Sequence, residues 1–189
     1  MQTVQVILFL IFGTLIGFFS RASLRNPRSH GFYRFFAWEI ILILFLKNVP
    51  VWFNDPLAWH QLISWFLLIV CCIPVILGMM KLRQARGPQS ATTTLPRPDG
   101  SLFEFEKTTS LVTTGVYRYI RHPLYSSLLL LAWGIFFKYP DWIGILLAVA
   151  ASAFLVATAH IEEAENIRYF GPVYNEYMRN TRRFIPFLF

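Results

Sequence analysis

Apolar residues in this chain are gathered into long runs that are separated by short polar stretches. A membrane-crossing helix needs about 20 mostly apolar residues, and somewhat shorter runs are tolerated. Five runs meet this requirement, at about residues 4–20, 33–53, 61–80, 123–139 and 141–160. The pattern predicts an all-α integral membrane protein with about five transmembrane helices, forming a single domain over residues 1–189.

The turns between and after these runs predict how the helices are arranged. Only Tyr139-Pro140-Asp141 separates the last two runs, which predicts an antiparallel helical hairpin. The first run lacks a basic leader and a small-residue cleavage site, so we interpret it as a retained span. Beyond the last run we expect the helix to continue to about Phe170, where Gly171-Pro172 would stop it.

Composition agrees with a membrane protein, disfavours a soluble fold and excludes a disordered chain. Of the 189 residues, 56% are hydrophobic and only 14% are charged. A soluble domain has about 45–50% apolar and about 25% charged residues. The two cysteines, Cys71 and Cys72, are adjacent in an apolar run, so they form neither a disulfide framework nor a metal site. The four histidines also lack the spacing of metal ligands, and we expect no metal.

The positive charges predict the topology. The formal net charge is +7, and all Lys and Arg residues except Lys47 and Lys138 fall on one side of the five predicted spans. Basic residues concentrate on the cytoplasmic side of membrane proteins. We therefore expect a cytoplasmic C-terminus, an external N-terminus and a location in a bacterial inner membrane. The basic side would contact lipid headgroups, and no nucleic-acid partner is expected.

Residues capable of chemistry concentrate at the cytoplasmic end of the last two spans. Arg121-His122-Pro123 opens the fourth span, where Pro123 suits the first position of a helix. These residues could instead be interfacial anchors. Adjacent carboxylates at Glu162 and Glu163 repel each other, and they stand where a cation bound from the cytoplasm could meet them. The alternative is a solvated helix face.

An ordered set of motifs in the second half resembles one family. The chain reads Leu-Val-Thr-x-Gly-x-Tyr from residue 111, Arg-His-Pro-x-Tyr from 121, and Glu-Glu at 162. Phe-Gly at 170, Tyr-x-x-Tyr from 174 and Ile-Pro at 185 follow. Residues 107–189 resemble the integral-membrane methyltransferases of the isoprenylcysteine carboxyl methyltransferase and phospholipid methyltransferase type. The first three spans carry no matching motif.

The resemblance implies S-adenosylmethionine (SAM) as cofactor, with S-adenosylhomocysteine as product. The site would be formed by the loop before the fourth helix and by the C-terminal segment. Glu162 suits the ammonium or the ribose hydroxyls, Tyr117 and Tyr125 suit a cation or the adenine, and His122 suits the carboxylate. Carried over by position, the cofactor residues are Thr109, Ser110, Leu111, Val112, Tyr117, His122, Pro123, Leu124, Tyr125 and Glu162.

The resemblance also implies methyl transfer to a lipophilic acceptor, either isoprenylcysteine-like or another lipid. The candidate catalytic residues are Arg121, Glu163 and His160. A carboxylate or thiolate acceptor needs no general base, whereas a lipid ammonium must lose a proton, for which Glu163 or His160 would serve. The partners would be this acceptor and membrane lipids, and the sequence leaves the oligomeric state open.

Three positions depart from the family pattern. Thr109 stands where the family has His, Ser127 where it has Gly, and Thr158 where prenylcysteine enzymes carry Arg. A hydroxyl cannot give the bidentate, charge-assisted bonds of a guanidinium, so Thr158 disfavours a prenylcysteine carboxylate. A phospholipid amine N-methyltransferase, an NADPH-dependent sterol-reductase-like enzyme and a non-catalytic membrane protein remain as alternatives.

The ionisable residues elsewhere give weaker indications. Glu39 and Lys47 lie within the second predicted span, where charged residues by default suggest function. Lys47 could instead reach the outer surface and Glu39 the cytoplasmic one. His30 and His60 stand at loop edges, and we predict that both are interfacial.

Overall fold

The computed structural model describes residues 3–85 and 111–186. In these ranges the regular elements are helices, apart from a single bridge between Ile120 and Arg182. This confirms the predicted all-α class. The α-helices are α1 (Thr3–Phe19), α2 (Arg21–Leu24), α3 (His30–Asn48), α4 (Trp59–Val70), α5 (Cys72–Gln84), α6 (Pro123–Phe136), α7 (Trp142–Phe170) and α8 (Pro172–Asn180).

Helices occupy all five predicted apolar runs. Two helical stretches, Trp59–Gln84 (α4 and α5 together) and Trp142–Phe170 (α7), are long and apolar enough to cross a membrane. The helices α1 and α6 are apolar but shorter, and α3 carries Arg34, Glu39 and Lys47. The helices therefore indicate association with a membrane, and the number of crossings stays a prediction.

The ends of α7 follow from local sequence. Asp141 caps the helix by accepting a hydrogen bond from the Gly144 amide at 2.7 Å. Gly171 ends it with a φ of 63°, which a residue with a side chain rarely adopts. With 29 residues, α7 is about 44 Å long at 1.5 Å per residue, whereas a hydrocarbon core is about 30 Å thick. Its last turns, from about residue 161, therefore project beyond the predicted span.

Small residues let α3 and α7 pack closely in the centre of the fold. Ala148, Ala151 and Ala159 on α7 are fully buried, as are Ala37 and Leu44 on α3. Together α3 and α7 form the most extensive helix contact among the described residues. The outer surfaces are apolar instead, as is usual for a fold surrounded by lipid. Leu62, Phe66 and Leu146 are among the exposed side chains.

The C-terminal tail returns to the start of α6. The Arg121 amide donates to the Arg182 carbonyl at 2.8 Å, and the Arg182 amide donates to the Tyr119 carbonyl at 3.0 Å. Nearby, the Ser126 hydroxyl donates to the Phe184 carbonyl at 2.7 Å. These bonds bring the tail, the loop before α6 and the end of α7 together.

Candidate active site

A cleft that is partly open to solvent lies where the loop before α6, the end of α7, and α8 meet. Thr109 and Ser110 lie outside the described residues. The other predicted cofactor residues all line the cleft, as does Arg121: Leu111, Val112, Tyr117, His122, Pro123, Leu124, Tyr125 and Glu162. The structure thus gathers segments that are up to 51 residues apart in the sequence around one space. Their roles stay a prediction.

Glu162 is the carboxylate that faces the cleft. Its Oε2 accepts a hydrogen bond from the Tyr125 hydroxyl at 2.5 Å and lies 3.7 Å from His122 Nδ1. The rings of His122 and Tyr125 stack with centroids 5.3 Å apart. Burial raises the pKa of Glu162, but the charges of His122 and His30 outweigh it and hold that pKa below its ordinary value. Glu162 is therefore a fixed negative charge.

Glu163 faces the interior of the fold instead. It is 3% exposed and accepts from Arg121 Nε at 2.8 Å and from Arg183 Nη2 at 2.6 Å. His122 Nε2 lies 3.3 Å from the same carboxylate. Burial raises the pKa of Glu163, but the hydrogen bonds from His122, Arg183 and Arg121 lower it far more. This environment opposes proton abstraction by Glu163 and suits a residue that holds others in place.

Arg121 ties the tail to the cleft. Besides its ion pair with Glu163, its Nη1 donates to the Thr181 carbonyl at 2.5 Å and to the Met178 carbonyl at 3.2 Å. Tyr177 makes a parallel link, because its hydroxyl donates to the Tyr117 carbonyl at 2.7 Å. These bonds fix α8 and the tail against the loop before α6.

The sequence that forms most of this cleft matches a known protein family. Residues 91–172 match the family model of the phospholipid methyltransferases. The match confirms the predicted resemblance to membrane methyltransferases and extends from before the described loop to the first residue of α8. Neither the curated proteins nor the solved structures gave a match. The family implies a membrane methyltransferase that acts on lipid.

His160, the third candidate catalytic residue, lies apart from the lining of the cleft. It is exposed on α7, and its Nε2 is 2.9 Å from Arg183 Nη1. Arg183 in turn binds Glu163. His160 is therefore connected to the cleft through a hydrogen bond from Arg183 and the ion pairs of Glu163 with Arg183 and Arg121, rather than by direct contact.

Sequence reasoning missed the contribution of α3 to this region. His30 is buried at 1% exposure, which corrects the prediction of an interfacial position. Its Nδ1 lies 2.5 Å from Glu165 Oε2, and its amide donates to Glu165 Oε1 at 3.0 Å. Glu165 stands one helical turn beyond Glu162, so this pair fixes α7 next to the cleft. The partners are 135 residues apart, and no local pattern connects them.

Glu39 and Lys47, the two ionisable residues within the second predicted span, lie away from the cleft. Glu39 packs on α1, where a Cβ added to Gly13 would lie 2.9 Å from its Oε2. Lys47 pairs with Asp141 at 2.9 Å, at the other end of the bundle. Neither lines the cleft. Among the residues that the structure describes, no group of three His, Cys, Asp or Glu side chains could hold a metal ion.

Proposed function

We propose that this protein is a SAM-dependent membrane methyltransferase that methylates a lipid, with its cleft on the cytoplasmic side of a bacterial inner membrane. The observation that carries the proposal is Glu162, held by Tyr125 at 2.5 Å and facing a cleft formed by the matched segments. A fixed carboxylate next to aromatic rings is a suitable environment for a cationic cofactor.

The residues around the cleft fit the groups of SAM. Glu162 would bind the ammonium or the ribose hydroxyls, and the rings of Tyr117 and Tyr125 would contact the cation or the adenine. His122 and the amides at the start of α6 would bind the carboxylate, because a helix N-terminus favours an anion. Apolar contacts would come from Leu111, Val112, Pro123 and Leu124, and polar ones from Thr109 and Ser110.

In this proposal the protein contributes mainly by positioning. When bound, SAM supplies a methyl group attached to a cationic sulfur. The chain's own residues orient the reactants and exclude water, which supplies most of the rate gain for such a displacement. Arg121 and Glu163 act as positioning residues, since both are tied to the tail. For an amine acceptor, His160 is the remaining candidate to take up a proton.

The acceptor we favour is a phospholipid amine. The description of the matched family supports this choice. Thr158, which stands where prenylcysteine enzymes would carry an arginine, is fully buried and donates its hydroxyl to the Phe154 carbonyl at 2.7 Å. This side chain is therefore not available to clamp the carboxylate of a prenylcysteine.

Calorimetric titration of the detergent-purified protein with SAM, and with NADPH as comparison ligand, tests the proposal. We expect saturable SAM binding that is lost in Glu162→Gln. The matched control is Glu176→Gln, which removes an exposed carboxylate on α8 outside the cleft and should leave binding unchanged. Binding of NADPH without SAM, or SAM binding that survives Glu162→Gln, would overturn the assignment. Transfer of labelled methyl groups to phosphatidylethanolamine vesicles then tests the acceptor.

A further inference from the structure

The outward face of α7 carries an ionisable residue, His160, at the end of the predicted span. Leu146, Val149, Ala153, His160 and Ala164 are all exposed, and their spacing of three, four and seven residues puts them on one side of the helix. His160 therefore faces the same surroundings as Leu146 and Val149. In a membrane those surroundings are lipid.

The length of α7 gives the depth of His160. Trp142, the first residue of α7, is 86% exposed, as is usual for an aromatic residue at a membrane surface. From Trp142 to His160 the helix rises about 27 Å at 1.5 Å per residue, against a hydrocarbon core of about 30 Å. If Trp142 marks one surface, His160 lies at the headgroup level of the other.

Positive charge is concentrated at this point. Arg183 uses Nε and Nη2 to bind Glu163, at 3.1 and 2.6 Å, and directs Nη1 to His160 at 2.9 Å. Glu163 also neutralises Arg121, so one carboxylate serves two guanidinium groups. Arg183 therefore brings to the exposed His160 a guanidinium that shares its carboxylate with Arg121. The anion present at that depth in any bilayer is the lipid phosphate.

We propose that His160 and Arg183 form a binding site for the phosphate group of a membrane phospholipid. The imidazole Nε2 accepts from Arg183, so its Nδ1–H and the guanidinium are the hydrogen-bond donors suited to phosphate oxygens. Glu163 connects this site to Arg121, so the bound headgroup lies next to the cleft. That the bound lipid is the methyl acceptor rests on the proposed function, whereas the phosphate site itself does not.

Binding of a short-chain lipid to the full-length protein in detergent tests the site. The probe is dioctanoyl phosphatidylglycerol, followed by native mass spectrometry, with dioctanoylglycerol as the matched lipid without phosphate. We expect His160→Leu to weaken binding of the phospholipid about tenfold and to leave dioctanoylglycerol unaffected. Arg183→Lys keeps a cation for Glu163 but loses the planar fork, and should weaken the phospholipid similarly.

Arg168→Leu is the matched control, because it removes an exposed positive charge from the same helix two turns further on. Equal weakening in Arg168→Leu, or none in His160→Leu, would overturn the site. Inorganic phosphate is titrated in parallel, and equally tight binding would identify a soluble anion instead of a lipid. SAM titration of each variant separates the two proposals: absence of SAM binding in the unmodified protein refutes the methyltransferase but leaves the lipid result standing.

Discussion

The two ends of the helical bundle both bury polar and charged side chains, but only one of them arranges these groups around the described cleft. At the end opposite the cleft, Lys138 is 1% exposed and donates to Gln61 Oε1 at 3.0 Å. Its Nζ lies 3.2 Å from the centroid of the Trp65 ring. At the end that contains the cleft, Glu162 has an equally specific partner in Tyr125, yet it also borders the cleft.

The two ends differ in whether the fold itself supplies all the partners of the buried polar groups. At the far end the fold itself supplies the partners: Asn48 donates to the Ile135 carbonyl and Ser64 to the Gly134 carbonyl, both at 2.7 Å. These residues hold α3, α4 and α6 together. At the end that contains the cleft a charged network borders open space, which leaves room for a ligand. Burial of a charge alone therefore does not identify a functional site.

The largest expected effect comes from breaking the charge network at each end. Glu163→Leu leaves Arg121 and Arg183 without their carboxylate, which should lower the free energy of unfolding by about 3–5 kcal/mol. Lys138→Met replaces a cation by a side chain of similar length and leaves one acceptor of Gln61 unpaired, at a cost of about 1–3 kcal/mol. Denaturant unfolding of the purified variants measures both.

The same pair of variants should differ more clearly in ligand binding. Lys138→Met is expected to bind SAM like the unmodified protein, whereas Glu163→Leu should lose binding along with the fixed tail. Equal losses of SAM affinity in both variants would remove the distinction between the two ends.

Removal of single hydroxyl groups gives the next largest difference. Tyr125→Phe deletes the donor to Glu162, and we expect about tenfold weaker SAM binding, since a hydrogen bond to a charged group contributes about 1.5–3 kcal/mol. Ser64→Ala deletes a hydroxyl bond of similar length at the far end and should leave the affinity for SAM unchanged. Isothermal titration of the two variants measures the contrast, and equal affinities would contradict the role given to Tyr125.

The charged groups at the end that contains the cleft should also make stability depend on pH. Burial lowers the pKa of His30, but the hydrogen bond to Glu165 and the charges of Glu162 and Glu165 together outweigh it and raise that pKa above the ordinary 6.5. A raised pKa in the folded state means that this stabilisation is complete below about pH 6.5 and is lost as the pH rises through the folded-state pKa. Glu163, with its lowered pKa, contributes above the ordinary 4.5 and loses its contribution as the pH falls.

Thermal unfolding between pH 4 and pH 9 measures this profile. His30→Gln should be less stable at pH 6 and should lack the decline of the unmodified protein at higher pH. A Ser64→Ala control, which removes no titratable group, should keep both the acid and the alkaline limb. An unchanged alkaline limb in His30→Gln would show that another group produces it.

The smallest expected effect on SAM binding comes from substituting two glycines that contact neighbouring helices. A Cβ at Gly78 would lie 3.2 Å from Pro123 Cγ, beside the cleft, and one at Gly134 would lie 2.9 Å from Leu68 Cδ2. Gly78→Ala should shift the start of α6 and weaken SAM binding a few-fold. Gly134→Ala should lower stability by about 1–3 kcal/mol through overpacking and leave SAM binding unchanged. A loss of SAM affinity in Gly134→Ala alone would reverse the comparison.

Local sequence was sufficient to predict where the helices lie and which segments carry the site motifs. Apolar runs, the proline that begins α6 and the Gly171-Pro172 stop act within one or two helical turns, so they can be interpreted without the fold. The predicted end of α7 at about Phe170 is confirmed. The motif spacing also indicated the family that the later comparison matched.

Which charged side chains form pairs depends on the tertiary structure. Glu162 lines the cleft, whereas Glu163 pairs with Arg121 and Arg183, although the two carboxylates are adjacent in sequence. The tertiary structure also pairs His30 with Glu165 across 135 residues. Neighbours on a helix point about 100° apart, so their surroundings depend on which helices pack there. That packing is a long-range property, and a pattern of local residue types does not contain it.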